Sequence, residues 1–142
     1  MCNSFWPAIE LTGESPARVV WSAENVTSEL TTPSLFEKHY LPFYNDVADM
    51  MHANGKLYGV HFDGNLAALK DLIARTALDI IEGFTPPPMG DLDMKEAMGV
   101  WPGIEIENGH FGGESFHDCL YQPHLNPPQS WGRSSFPATR WF

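Results

Sequence analysis

The chain has 142 residues, of which 43% are hydrophobic, with eight Lys or Arg, eighteen Asp or Glu and a formal charge of −10 at pH 7. This length suits one ordinary domain and falls short of the roughly 250 residues of a complete (β/α)8 barrel. The acidic balance and the scattered basic residues argue against a nucleic-acid or anionic-membrane partner, because both partners require a clustered basic patch.

The two cysteines, Cys2 and Cys119, form neither a CxxC metal motif nor a disulfide framework. The first ten residues lack the basic and apolar regions of a secretory leader. No run approaches the roughly 18 apolar residues of a membrane span. We therefore expect a cytoplasmic protein with reduced thiols.

Short apolar runs alternate with amphipathic segments upstream of residue 108. The pattern predicts, in chain order, a strand over 18–22, a helical stretch over 33–54 that kinks or divides at Pro42, a strand over 56–61, a helix over 66–76 capped by Asn65, a strand over 78–82, a helix over 93–98 and a strand over 103–107. Strands and helices that alternate at this rhythm indicate βαβ units, a parallel sheet and the α/β class.

The composition divides the chain into three regions. We expect an N-terminal loop over 1–17, a block of βα units over 18–107 and an irregular tail over 108–142. Residues 119–142 contain no acidic side chain but include Arg133, Arg140 and four prolines, and they show no helical or strand period. A shifted reading frame after about Asp118 would explain this change.

A polar residue closes each apolar run of the βα block. In parallel α/β folds the ligand site lies beyond the carboxyl ends of the strands. The polar residues at these positions are Glu24, His61, Asp63, Glu82 and, after the fourth run, Glu105 or Glu107. Their convergence would form either a metal site or a proton-transfer site. The alternative for Glu24 is that it only offsets the dipole of the following helix.

The segment His-Phe-Asp-Gly-Asn over 61–65 is the sharpest cluster of these residues. Because residues two apart in an extended segment point the same way, His61 and Asp63 would present either two metal ligands or an imidazole with its orienting carboxylate. The candidate catalytic residues and ligands of a divalent metal are His61, Asp63 and Glu82. The candidate substrate-binding residues are Glu24, Asn65 and Thr85.

Three segments within about 19–101 resemble the C-terminal half of the uroporphyrinogen decarboxylase superfamily. They are SLFEKHYLPFY over 34–44, GKLYGVHFDGN over 55–65 and LDIIEGFTPPPMGD over 78–91, and they occur in family order. The family fold is a (β/α)8 barrel. The resemblance therefore implies a half barrel of parallel strands.

The superfamily implies two chemistries. One branch decarboxylates uroporphyrinogen in porphyrin biosynthesis without a cofactor, and the other transfers methyl groups between corrinoids and thiols with zinc held by a His-x-Cys pair. His61 falls on the family histidine, whereas Asp63 stands in place of the cysteine, which favours a harder divalent ion.

The N-terminal region also lacks the arginine cluster with which the decarboxylases clamp their polycarboxylate substrate. We therefore expect methyl transfer on a small molecule, with a corrinoid or corrinoid protein as partner, in preference to porphyrinogen decarboxylation. A third interpretation is a catalytically inactive, truncated fragment. Half a barrel has two open sheet edges, through which the chain would form an oligomer.

Overall fold

A computed structural model describes residues 6–108, so the tail expected over 108–142 lies outside the described residues apart from Asn108. The strands are β1 (Val19–Ser22), β2 (Leu57–His61), β3 (Ile80–Phe84) and β4 (Glu105–Asn108). They form one parallel sheet in the order β1-β2-β3-β4, which confirms the α/β class and is compatible with part of a barrel.

The helical elements are α1 (Trp6–Glu14), α2 (Pro33–Leu35), a π-helical segment (Phe36–Tyr40), α3 (Leu41–Ala53), α4 (Lys70–Ile73) and α5 (Met94–Val100). None of those within residues 6–108 combines the length and apolar composition that crossing a membrane requires. The helical stretch runs without a gap from Pro33 to Ala53 and changes from π-helix to α-helix at Leu41, so the kink or division expected at Pro42 stays a prediction. Pro42 lies in the first turn of α3, where its missing N–H group costs little.

The N-terminal region over 1–17 was expected to be a loop, and this expectation is wrong because it contains α1. The ring of Trp6 packs 6.1 Å from the ring of Phe43 on α3. The buried Lys56 ammonium donates hydrogen bonds to two backbone carbonyls of the segment that follows α1. Contacts with distant residues therefore hold a helix whose own sequence has no clear apolar stripe.

The helix predicted over 66–76 is shorter than expected, since only Lys70–Ile73 is α-helical. Asn65 is not its cap. The Oδ1 atom of Asp91 accepts hydrogen bonds from the backbone N–H groups of Leu66 and Ala67 at 2.7 and 2.9 Å. The prediction was wrong because this acceptor comes from the loop after β3, and a local capping rule does not reach so far along the chain.

The sheet has two different faces, because successive side chains of a strand point in opposite directions. The core face contributes to the hydrophobic core through Val20, Tyr58, Val60, Ile81 and Ile106, which pack with aromatic residues of the π-helical segment and α3. The opposite face, called the site face below, carries residues outside this core: Trp21, Gly59, His61, the buried Ile80, Glu82, Glu105 and Glu107.

The β3 strand contains an irregularity between Ile81 and Phe84. Gly83 has a φ of 79°, a backbone conformation that residues with a Cβ atom rarely adopt. The extra residue of this bulge lets Glu82 point to the site face while Phe84 returns to the core, where its ring packs edge-on against Trp101.

Candidate functional site

The centre of the site is a hydrogen-bonded pair between neighbouring strands. His61 ends β2 and lies in register with Glu82 of β3. The Nδ1 atom of the imidazole donates a hydrogen bond to Glu82 Oε2, and the two side chains are 28% and 26% exposed. A carboxylate on Nδ1 keeps the ring proton at that nitrogen, so Nε2 is left as the basic atom.

Asp63 lies on the other side of the imidazole. Its Oδ2 atom is 3.9 Å from Nε2, which is too long for a hydrogen bond, and its side chain is 40% exposed. The ring therefore lies between two carboxylates, each of which faces a different nitrogen.

Gly83 supports the imidazole from below. A Cβ atom at residue 83 would lie 2.5 Å from His61 Cε1 and 2.7 Å from His61 Nδ1, closer than real Cβ contacts allow. The ring thus rests on the glycine backbone. Gly83 was not among the residues predicted for the site, although a glycine directly after a polar strand-end residue is a signal for a bulge.

A third carboxyl group lies near the pair on the site face. Burial first, and then the charges of Glu82 and Glu105, raise the pKa of Glu107 to about 7. The sequence left open which acid of β4 belongs to the site. Both acids of β4 lie on the site face, and a pKa of about 7 means that Glu107 changes its charge near neutral pH.

The predicted metal ligands do not converge on one point. Glu82 occupies Nδ1 of His61, whereas Asp63 lies at Nε2 on the opposite side of the ring. Within residues 6–108, no three His, Cys, Asp or Glu side chains are grouped so that they could hold a metal ion. Protein metal sites commonly use three or more such ligands, so the side chains in this arrangement do not fit a zinc centre.

Glu24 belongs to a different environment. Its Oε2 atom is buried without a hydrogen-bond partner among the described residues, and the same holds for the Tyr44 hydroxyl. Burial raises the pKa of Glu24 and also that of Tyr44, which the charge of Glu24 raises further. Nearby, the Ser22 and Tyr58 hydroxyl groups are 2.7 Å apart. Glu24 therefore faces tyrosines of the core, and the structure does not bring it together with His61.

Asn65 and Thr85 join loops at the carboxyl ends of the strands. The backbone N–H of Gly64 donates to Thr85 Oγ1 at 2.8 Å, which links the loops after β2 and β3. The backbone N–H of Asn65 donates to Thr27 Oγ1 at 3.3 Å, and its amide side chain donates to Glu29. Both residues border the site, and substrate binding by them stays a prediction.

Comparison with known proteins identifies no relative of this chain. No protein-family model matches it, and neither does a curated protein or a solved structure. The superfamily resemblance therefore stays a prediction, and the chemistry has to be inferred from the geometry of the site itself.

Proposed function

We propose that the chain carries the strand-end site of an enzyme of the uroporphyrinogen decarboxylase superfamily and that His61 transfers a proton to and from a small-molecule substrate. One observation carries the proposal. Glu82 holds Nδ1 of the imidazole while Nε2 belongs to a partly exposed ring. A general base needs this combination of a fixed orientation and a free basic atom.

Each side chain has a separate role in this scheme. Nε2 of His61 accepts the proton that a thiol releases in methyl transfer, or, when protonated, supplies the proton that replaces the carboxyl group in decarboxylation. Glu82 is a positioning residue, because it fixes the tautomer and stabilises the imidazolium ion. Asp63 adds a second negative charge 3.9 Å from Nε2, where the proton arrives.

Proton transfer serves both reactions that the resemblance implies. In a methyl transfer to a thiol, a base removes the thiol proton so that the sulfur becomes nucleophilic. In a decarboxylation, an acid supplies the proton that replaces the departing carboxyl group. Methyl transfer with a corrinoid partner remains our first choice, since His61 stands on the family histidine, and porphyrinogen decarboxylation is the second.

The tautomer of His61 tests the proposal directly. In nitrogen-15 NMR spectra of the full chain near neutral pH, we expect the neutral His61 ring to carry its proton on Nδ1. Glu82→Leu removes the acceptor, so we expect a mixture of tautomers, whereas His39→Gln provides a control that leaves His61 unchanged. A wild-type His61 with its proton on Nε2 would overturn the proposal.

Activity assays then separate the two reactions. We expect His61→Gln to abolish turnover of whichever substrate the wild-type chain accepts, a methyl-corrinoid with a thiol or a porphyrinogen. A chain with the expected tautomer but without either activity would favour the interpretation as an inactive fragment.

We also expect a cytoplasmic location and self-association through the edge strands β1 and β4. Sedimentation velocity tests the self-association.

A further inference from the structure

A cleft runs along the outer edge of β1, beside α1. Its wall includes the three consecutive residues Val20, Trp21 and Ser22. Successive side chains of a strand point to opposite faces, so a space that all three residues contact lies at the edge of the sheet. Within the described sheet, β1 pairs with β2 alone. Neither His61 nor Glu82 lines this cleft, so it is separate from the site described above.

The cleft is small and mostly apolar. Helix α1 contributes Ile9 to its wall, and α3 contributes Phe43, Val47 and Met51. The volume is about 170 Å³, close to the roughly 150 Å³ of an apolar cavity that holds benzene. Apolar walls also offer water few hydrogen-bond partners. The space therefore suits a molecule about the size of one aromatic ring, which can pack on Phe43 and Trp21.

Two hydroxyl groups give the cleft a polar point. Ser22 and Tyr58 both line it, their hydroxyl oxygens are 2.7 Å apart, and the Tyr58 side chain is fully buried. Burial raises the pKa of Glu24, while hydrogen bonds from its own backbone and from Ser22 oppose that rise, so the Ser22 proton is directed to this carboxyl group. The Tyr58 hydroxyl then donates to Ser22, and its oxygen keeps lone pairs for a donor in the cleft.

We propose that this cleft binds a small neutral aromatic molecule with one hydroxyl group, of the phenol class. The aromatic ring packs against Phe43 and Trp21, and the hydroxyl group donates to the Tyr58 oxygen. A charged group of either sign is disfavoured, because no acidic or basic side chain is among the described residues that line the cleft. This site does not depend on the proton-transfer function proposed for His61.

Three probes that share a benzene ring test this proposal: phenol, toluene and benzoate. Each is titrated into the full chain at pH 7 while NMR follows the methyl groups of Val20, Val47 and Met51. We expect phenol to bind about fivefold more tightly than toluene, since only phenol has a donor for the Tyr58 oxygen, and benzoate to bind about tenfold more weakly than phenol. Toluene or benzoate binding as tight as phenol binding would contradict the proposal.

Two matched variants locate the binding. Ala8 lies on α1 and lines the cleft, so Ala8→Leu should fill the space and weaken phenol binding by about tenfold. Ala53→Leu adds the same side chain at the exposed end of α3, which does not line the cleft, and should leave phenol binding unchanged. Unchanged phenol binding in Ala8→Leu, or methyl groups of the cleft that do not shift, would overturn the assignment. The tautomer of His61 is measured separately, so either proposal can fail while the other stands.

Discussion

Replacement of Gly83 by alanine should displace the His61 ring while the rest of the fold stays in place. The new Cβ atom would lie 2.5 Å from His61 Cε1, about 1 Å inside an ordinary carbon–carbon contact. The ring cannot remain in place, because backbone of β3 lies below it. We expect the imidazole to turn away and to lose its hydrogen bond to Glu82.

The cost in stability has two parts. An alanine at a φ of 79° costs about 1–2 kcal/mol relative to glycine. Loss of the hydrogen bond between the imidazole and a carboxylate adds about 1 kcal/mol, a low value because both side chains are partly exposed. The free energy of unfolding should therefore fall by about 2–3 kcal/mol.

Urea unfolding measures this loss, and nitrogen-15 NMR reports the His61 tautomer in the same samples. Gly99→Ala in α5 is the matched control, since a Cβ there meets no atom within 4 Å. This change should stabilise the helix by about 0.5–1 kcal/mol. A Gly83→Ala variant with unchanged stability and an unchanged tautomer would refute the reasoning.

The other predictions concern single side chains. Glu24→Gln should stabilise the fold by about 1 kcal/mol at pH 7. Because burial raises the pKa of Glu24, ionisation favours the unfolded state, so the gain should vanish below about pH 4 in urea titrations. Asp91→Ala removes two hydrogen bonds to backbone N–H groups and should cost about 2 kcal/mol in the same assay. Elemental analysis should find equal metal content in the wild-type chain and His61→Ala, and a lower content in the variant would show that His61 binds metal. Carbon-13 NMR should show Glu107 titrating near pH 7, and Glu82→Gln should lower that pKa towards its ordinary value.

The strands were predictable because their apolar runs are short and bounded by polar residues. The predicted strand over 56–61 matches β2 closely, whereas the one predicted over 78–82 begins and ends two residues before β3. The bulge at Gly83 explains the difference at its end, since Glu82 looks like a terminating polar residue while the pairing continues to Phe84. The extent of β3 depends on a backbone conformation that apolar periodicity does not encode.

The pairing of His61 with Glu82 follows from the rule that carboxyl ends of parallel strands meet at one edge. That rule does not state which face a residue occupies. Glu24 is an even number of residues after Val20 and Ser22, so alternation already favoured the core face for it. The role of Gly83 could not be predicted from the sequence, because it arises from the imidazole ring that rests on its backbone.

Hydrogen bonds that cross between the strand-end loops have a consequence for local opening. The amide of Ser28 donates to the Asn65 carbonyl, that of Gly64 donates to Thr85, and those of Leu66 and Ala67 donate to Asp91. Each bond joins two different loops, so no loop can lift away while the others stay closed. Hydrogen exchange at these four amides should therefore report one common opening free energy, that of a single cooperative unit that opens the edge of the sheet above His61.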